Sequence, residues 1–213
     1  MYRQICWLKT CGLILVLLFV AAHAQAQTTY DERHADDATQ AATTAATRRL
    51  ASNDPLARQQ AAEELAQLAA AGERRLVEGY RLQEKNTRVR LALDWALYRM
   101  GKAEALYAVV RALDSARAEQ AAGYLAALET PQPLYLILPR VNGNTQVKLI
   151  DVLARIGDDT TLAQLKPFAD SFDPKIADAA RHAEQEIARR NMQQPNVTPG
   201  RPRQVGKDEP PIK

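Results

Sequence analysis

The chain has 213 residues, of which 38 are Ala and 25 are Leu, whereas Val and Ile together contribute 19 and Gly only 9. This composition predicts an all-α protein. It disfavours a β-sandwich or a parallel α/β sheet, which need β-branched strands and Gly-containing turns. The formal net charge of +3 is too small to indicate a nucleic-acid-binding protein.

The N-terminus has the pattern of a secretory signal peptide. Arg3 and Lys9 precede an unbroken apolar segment at residues 11–22, which is short for a helix that must cross a bilayer. Small-residue motifs then predict cleavage after Ala24 or Ala26. We therefore expect a periplasmic or secreted protein with no stable membrane insertion after signal removal. The alternative is that the apolar segment is retained as an N-terminal anchor.

Removal of this segment changes the charge and the cysteine content of the chain. It leaves 26 basic and 25 acidic residues, and both Cys6 and Cys11 are lost with it. The mature protein would then contain no disulfide, no thiol nucleophile and no Cys metal site. Its stability must come from core burial alone.

Helix start signals recur along the remaining chain. Asp54-Pro55 and Asp173-Pro174 each place an N-cap acceptor before a proline at the first helical position. The second pair opens an amphipathic helix that we expect to cap the C-terminal end of the fold. For residues 36–50 we expect a weaker N-terminal capping helix, with one alanine side made of Ala41, Ala42, Ala45 and Ala46. The alternative, from the Thr content of this segment, is disorder.

A period of about 28 to 30 residues indicates repeated helical hairpins. Each hairpin has a second helix that opens with a leucine, at Leu76, Leu106, Leu134 and Leu162. Gly101 and Gly157 each follow a first helix, where a residue with left-handed backbone is expected. One such hairpin has too little apolar surface to fold alone, so neighbouring hairpins must stack on each other.

The best-formed copy begins at Val89 and reads VRLALDWALYRMGKAEALYAVVRAL, and looser copies cover residues 54–82, 118–141 and 145–169. This pattern resembles the HEAT repeat of the phycobilisome-lyase type. The resemblance implies a short α-solenoid of about four HEAT-like helical hairpins with a capping helix at each end. We therefore predict four segments: a signal peptide at 1–26, an N-terminal segment with a weak capping helix at 27–51, a HEAT-like repeat domain at 52–192 and a disordered, Pro-rich basic tail at 193–213.

The sequence contains no recognisable catalytic or metal-binding motif. Deoxyhypusine hydroxylase, a di-iron enzyme with similar repeats, uses His-Glu dipeptides, and this chain has none. The two histidines of the mature chain, His34 and His182, lack the ligand spacing of a metal site. We therefore predict a non-enzyme that holds no cofactor and no metal. The alternative is a HEAT-type enzyme, an oxidoreductase or lyase-like, whose site is not visible in the sequence.

The second helices supply the candidate partner-binding residues. Alignment on the leucines places Val77, Tyr107 and Tyr135 one residue later, and Arg81 and Arg111 four residues after Val77 and Tyr107. Tyr and Arg are enriched at interface hot spots. These residues predict a face for a protein or peptide partner, and hence an interaction scaffold of the bacterial envelope. Two alternatives remain: the tyrosines cover seams between repeats, or the protein is structural and uses its basic tail.

Overall fold

The computed structural model describes residues 36–193, which are helical and contain no strand. The prediction of an all-α protein is therefore confirmed for this part of the chain. The predicted signal peptide, its cleavage positions, His34 and the tail beyond Gln193 lie outside the described residues. The helices are α1 (36–49), α2 (Pro55–Gln67), α3 (Arg74–Gln83), α4 (Thr87–Arg99), α5 (Ala105–Arg111), α6 (Ala118–Ala126), α7 (Gln132–Tyr135), α8 (Gly143–Ile156), α9 (Asp159–Ala169) and α10 (Pro174–Gln193).

Side-chain caps explain why several helices begin where they do. The Asp54, Asn86 and Asp173 side chains accept hydrogen bonds of 2.9–3.3 Å from backbone amides in the first turns of α2, α4 and α10. Such caps satisfy amides that have no partner inside the helix. The predicted helix starts at Pro55 and Pro174 are therefore confirmed.

The N-terminal helix α1 is present as predicted, but only part of its predicted alanine side is buried. Thr43, Ala46 and Leu50 are buried, whereas Ala41 and Ala45 are exposed. The buried positions are three and four residues apart and therefore lie on one face. Leu50 is the largest apolar side chain of the segment, and its burial determines which face of α1 points inward.

The chain divides into two compact units between Val109 and Val110, within α5. In the first unit, α2 and α3 both pack against α4. Helix α4 is buried from Val89 to Leu97 except at Arg90, as expected of a central helix. Helix α3 buries only one residue, Val77, so polar contacts must contribute much of its attachment.

In the second unit, α8 is the central helix. Helices α6 and α10 pack against it, as does the 3-10 turn Ala112–Asp114, while α9 packs against α10. The Arg190 guanidinium of α10 donates to the carbonyl oxygens of Ala154 at 2.9 Å and Arg155 at 2.7 Å, and also to that of Gly157. These contacts satisfy carbonyl groups that the end of α8 leaves without a partner inside the helix.

The predicted column of buried leucines is only partly correct in the second helices. Leu106 and Leu134 are buried, with 2% and 0% exposure. Leu162 is only half-buried, and Thr161 and Leu165 are the buried residues of α9. The Thr161 hydroxyl must reach the backbone amide of Asp158, the residue that caps α9. This capping contact turns Thr161 inward and moves Leu162 to the side.

The two glycines that follow first helices have different roles. Gly101 has φ +90°, which confirms the predicted left-handed residue after α4. Gly157 has φ −68°, so the same prediction is wrong after α8. A Cβ at Gly157 would lie 2.5 Å from the Leu153 carbonyl oxygen and 2.8 Å from the Thr161 side chain. Close packing therefore requires glycine at this junction.

We expect Gly157→Ala to lower the free energy of unfolding by about 1–2 kcal/mol, because the added methyl group displaces backbone or the α9 cap. Urea unfolding followed by circular dichroism measures this change. Gly123→Ala in α6 is the matched control, since nothing lies within 4 Å of a Cβ at that position. The control should gain roughly 0.5–1 kcal/mol from improved helix propensity. Equal effects of the two variants would contradict the close-packing explanation.

Candidate protein interface

Val77, the first predicted partner-binding residue, cannot form an exposed face. Its exposure is 0%, whereas the neighbouring Leu76, which was expected in the core, is 41% exposed. The inward face of α3 is therefore rotated by one residue from the prediction. Val77 lies one turn before Arg81, and Arg81 is held against α4 by a charged partner.

Arg81 is part of an ion pair inside the first unit. Its guanidinium donates to both carboxylate oxygens of Asp94 in α4, at 2.7 and 3.2 Å. The Asp94 residue is only 7% exposed. A second pair joins the same region, because the Lys102 ammonium donates to Glu78 at 2.7 Å. This hydrogen bond lowers the pKa of Glu78. Arg81 thus orients α3 on α4 and is not available as a simple surface contact.

A third ion pair joins α2 to the end of α3. The Arg58 guanidinium donates to the two Glu84 oxygens at 2.7 and 3.1 Å, and to the Ser52 and Asn53 carbonyl oxygens at 2.8 and 3.1 Å. The Glu84 side chain is 8% exposed. The hydrogen bond from Arg58 lowers the pKa of Glu84, so this carboxylate stays charged at neutral pH.

A cavity of about 330 Å³ lies beside this third pair. Its lining residues are Leu50, Ala51, Ser52, Arg58, Tyr80, Gln83, Glu84 and Lys85. The Arg58 and Glu84 charges in this lining are joined by hydrogen bonds of 2.7 and 3.1 Å. We assign no ligand to it.

Tyr107 and Arg111 are both exposed residues of α5, one turn apart. Tyr107 is 37% exposed and Arg111 is also exposed. Two buried residues of the same helix, Val109 and Val110, face the core. Of the predicted partner-binding residues, Tyr107 and Arg111 are the two that a partner can reach most directly.

Tyr135 is half-buried and takes part in the packing of the second unit. Its hydroxyl lies 2.6 Å from the Thr161 hydroxyl and 3.5 Å from an Asp158 oxygen. Burial raises the pKa of Tyr135. Burial also acts to raise the pKa of Asp158, but hydrogen bonds from the Thr161 amide and hydroxyl lower it overall. Tyr135 therefore joins α7 to the start of α9, as the seam alternative expected.

The sequence reasoning missed the solvent side of α3. This side comprises Arg75, Leu76, Gly79, Leu82 and Gln83. Gly79 is half-exposed and lies at the centre, and the other four residues are exposed and lie three or four positions from it. Leu82 is 81% exposed, more than Leu76. The spacing of these residues could have indicated one helix face, had Val77 been identified as the inward residue. We call this surface the outer face of α3.

Large apolar residues are exposed on or beside several helices. Among the described residues, the exposed positions on α3, on α5 and directly after α7 are Leu76, Leu82, Tyr107 and Leu136. Leu56 is exposed on α2. Phe172 lies just before α10, and Met192 lies near the end of α10. Large exposed apolar patches mark interaction sites, and aromatic residues such as Tyr are enriched in protein interfaces.

No family model, curated protein or solved structure matches the chain. Within residues 36–193, no three His, Cys, Asp or Glu side chains are grouped so that they could hold a metal ion. The helices of the same range include none that is both long and apolar enough to cross a membrane.

Proposed function

We propose that the protein is a non-catalytic interaction scaffold or adaptor of the bacterial cell envelope. It binds a protein or peptide partner on the second helices of an α-solenoid of HEAT-like hairpins. The observation that carries this proposal is the exposure of large apolar side chains on α3, on α5 and after α7. Leu82, at 81% exposure, is the most exposed of these side chains.

The helix pairing within each unit supports the solenoid part of the proposal. Helix α2 packs against α4 in the first unit, and α8 packs against α6 and α10 in the second. Each of these contacts joins helices that are two elements apart in the chain. Such pairing is typical of stacked hairpins, in which first helices contact first helices. The second helices are then left with one side toward solvent.

The partner-binding residues of the proposal differ from those expected from the sequence. Tyr107 and Arg111 are retained, because both are exposed. Leu76 and Leu82 replace Val77, which is buried. Arg81 and Tyr135 instead position helices, through their hydrogen bonds to Asp94 and Thr161.

Localisation in the envelope rests on the signal-peptide pattern of the N-terminus. N-terminal sequencing of the protein from an envelope fraction tests it, with a first residue near Gln25 or Gln27 as the expected result. An intact Met1 in that fraction would favour the retained anchor.

Site-specific photocrosslinking tests the binding surface. We expect a photoreactive residue at Tyr107 or Leu82 to form discrete adducts in the cell that makes the protein. The same residue at Leu56, which is 51% exposed on the first helix α2, is the control and should form none. Identical adducts at all three positions, or none at any, would contradict a second-helix interface.

The double variant Tyr107→Ala, Arg111→Ala then measures the contribution of α5. We expect it to weaken binding of the crosslinked partner by about 2 kcal/mol or more, as hot-spot residues do. Because both side chains are exposed, the melting temperature should stay close to that of the wild type. The opposite pattern, lost stability with unchanged affinity, would show that these residues serve packing.

A further inference from the structure

We infer that the outer face of α3 is a docking surface for a second copy of this chain. The two α3 helices cross antiparallel, about a twofold axis that passes between the two Gly79 residues. This inference rests on the proposed function and names one partner of the same interface.

Within residues 36–193, the buried and ion-paired residues of α3 lie outside its outer face. Val77 is the one buried residue of the helix. The polar attachments of α3 use Glu78, Arg81 and the following Glu84, which bind Lys102, Asp94 and Arg58. Leu76 and Leu82 point away from all of these, at 41% and 81% exposure. Their apolar area is therefore available to another molecule.

Gly79 at the centre of this face is not required by the single copy either. A Cβ at Gly79 would meet no atom within 4 Å, and the residue has no positive φ. Glycine inside a helix lowers helix stability relative to alanine. The absent side chain does allow a second helix to approach the α3 backbone closely. A close helix crossing at Gly79 explains why glycine is present at a site where the isolated fold would favour alanine.

The outer face is also complementary to itself. Leu76 and Leu82 lie three residues on either side of Gly79, and Arg75 and Gln83 lie four residues on either side. A twofold axis between the two Gly79 residues therefore places Leu76 of one copy against Leu82 of the other. It also places the Arg75 guanidinium against the Gln83 amide oxygen, which can accept its hydrogen bond. Each contact occurs twice, as in other isologous interfaces.

The size of this face predicts a weak dimer. One face of a ten-residue helix offers less than the roughly 800 Å² per partner that stable complexes bury. We therefore expect a dissociation constant in the micromolar range or weaker, and a dimer that forms only at high local concentration. A second copy is favoured over an unrelated partner because the apolar and polar residues are arranged symmetrically about Gly79.

Sedimentation equilibrium of the purified protein, from about 10 µM to 1 mM, tests self-association. We expect reversible dimers in the wild type. Leu82→Arg should raise the dissociation constant at least about tenfold, because the twofold axis places each new charge against an apolar Leu76. Leu56→Arg, also at an exposed leucine of the first unit, is the matched control and should leave the dissociation constant unchanged.

Replacement of Gly79 gives a second comparison, in which the stability of the fold is measured together with dimer formation. Gly79→Ala should raise the melting temperature measured at low protein concentration, since the methyl group meets open space. It should nevertheless raise the dimer dissociation constant by roughly three- to tenfold, because it separates the crossing helices. Gly123→Ala in α6 should raise the melting temperature similarly and leave the dimer unaffected.

Disulfide formation tests the antiparallel register, in a background where Cys6 and Cys11 are replaced by Ser. A mixture of Leu76→Cys and Leu82→Cys proteins should form a cross-linked heterodimer on mild oxidation. Either variant alone should cross-link far more slowly, because equivalent positions lie on opposite sides of the axis.

A wild type that remains monomeric up to about 1 mM would overturn the inference. A dimer that is insensitive to both Leu82→Arg and Gly79→Ala would overturn it equally. Neither result affects the adducts expected from Tyr107 on α5. The absence of adducts from both Tyr107 and Leu82, by contrast, contradicts the proposed function itself, so the two failures are distinguishable.

Discussion

Leu106→Ala is expected to lower the free energy of unfolding by about 2–5 kcal/mol, the largest effect of any single replacement considered for this protein. Leu106 is 2% exposed and lies in α5 beside the buried Val109 and Val110. Truncation removes its apolar contacts and leaves a cavity that the surrounding helices fill only partly. Urea unfolding at neutral pH, followed by far-ultraviolet circular dichroism, measures the loss.

Leu82→Ala is the matched control for this replacement. It changes the same side chain in the neighbouring second helix, α3, but at a position that is 81% exposed. We expect its effect to stay within about 0.5 kcal/mol. If Leu106→Ala were as mild as this control, Leu106 would not be part of the core.

Arg58→Ala should produce the second large effect, a decrease of about 2–3 kcal/mol in the free energy of unfolding. The replacement leaves the Glu84 carboxylate, 8% exposed, without the guanidinium that balances its charge. It also removes the donors for the Ser52 and Asn53 carbonyl groups. The loss should be somewhat smaller than for a fully buried pair, because the Arg58 side chain keeps 19% exposure.

This ion pair also makes the effect of Arg58→Ala depend on pH. Arg58 lowers the pKa of Glu84 in the folded state, below the ordinary glutamate value of about 4.3. The pair therefore stabilises the fold fully above that value, and its contribution is lost as pH falls through the folded-state pKa. We expect the difference between wild type and Arg58→Ala to be largest near neutral pH and to shrink in acid.

Arg189→Ala provides the control for a surface ion pair. Arg189 binds Glu186 within α10, and the two side chains are 60% and 34% exposed. Exposed pairs of this kind contribute little to stability, so this variant should unfold almost as the wild type does. A constant effect of Arg58→Ala between neutral and acidic pH would contradict the role given to Glu84.

The sequence was sufficient to place the helices of this protein where their ends carry local signals. The starts of α2 and α10 follow from Asp54-Pro55 and Asp173-Pro174, because an N-cap bond joins residues that are neighbours in the chain. The left-handed Gly101 was predictable for the same reason. Such contacts depend on spacing alone.

The orientation of α3 could not be predicted in this way. Leu76 and Val77 are both apolar, and either could face inward. The choice depends on Arg81, which finds Asp94 thirteen residues later, and on Glu84, which finds Arg58 in α2. No local pattern encodes these distant charges, so the candidate interface was displaced by one residue.

Two other differences between the prediction and the structure also arise from contacts that the local sequence does not encode. Tyr135 was predicted at the surface, but its hydroxyl meets Thr161, 26 residues later in the chain. Gly157 was predicted to have left-handed backbone, whereas it is required because Leu153 and Thr161 approach it closely. Periodicity identifies equivalent positions in successive hairpins, but it does not reveal which of them a neighbouring element occupies.

The contact from Arg190 to the end of α8 bears on the order in which the two units can fold during synthesis. The carbonyl groups of Ala154 and Arg155 are made long before their donor, which lies 36 and 35 residues further along the chain. A ribosome must therefore release nearly the whole of α10 before these groups find their protein partner. In the first unit, the capping residues Asp54 and Asn86 directly precede the helices that they cap, so this unit can fold early. The second unit closes only when the last helix arrives, and a chain that stops short of Arg190 leaves the end of α8 open to water.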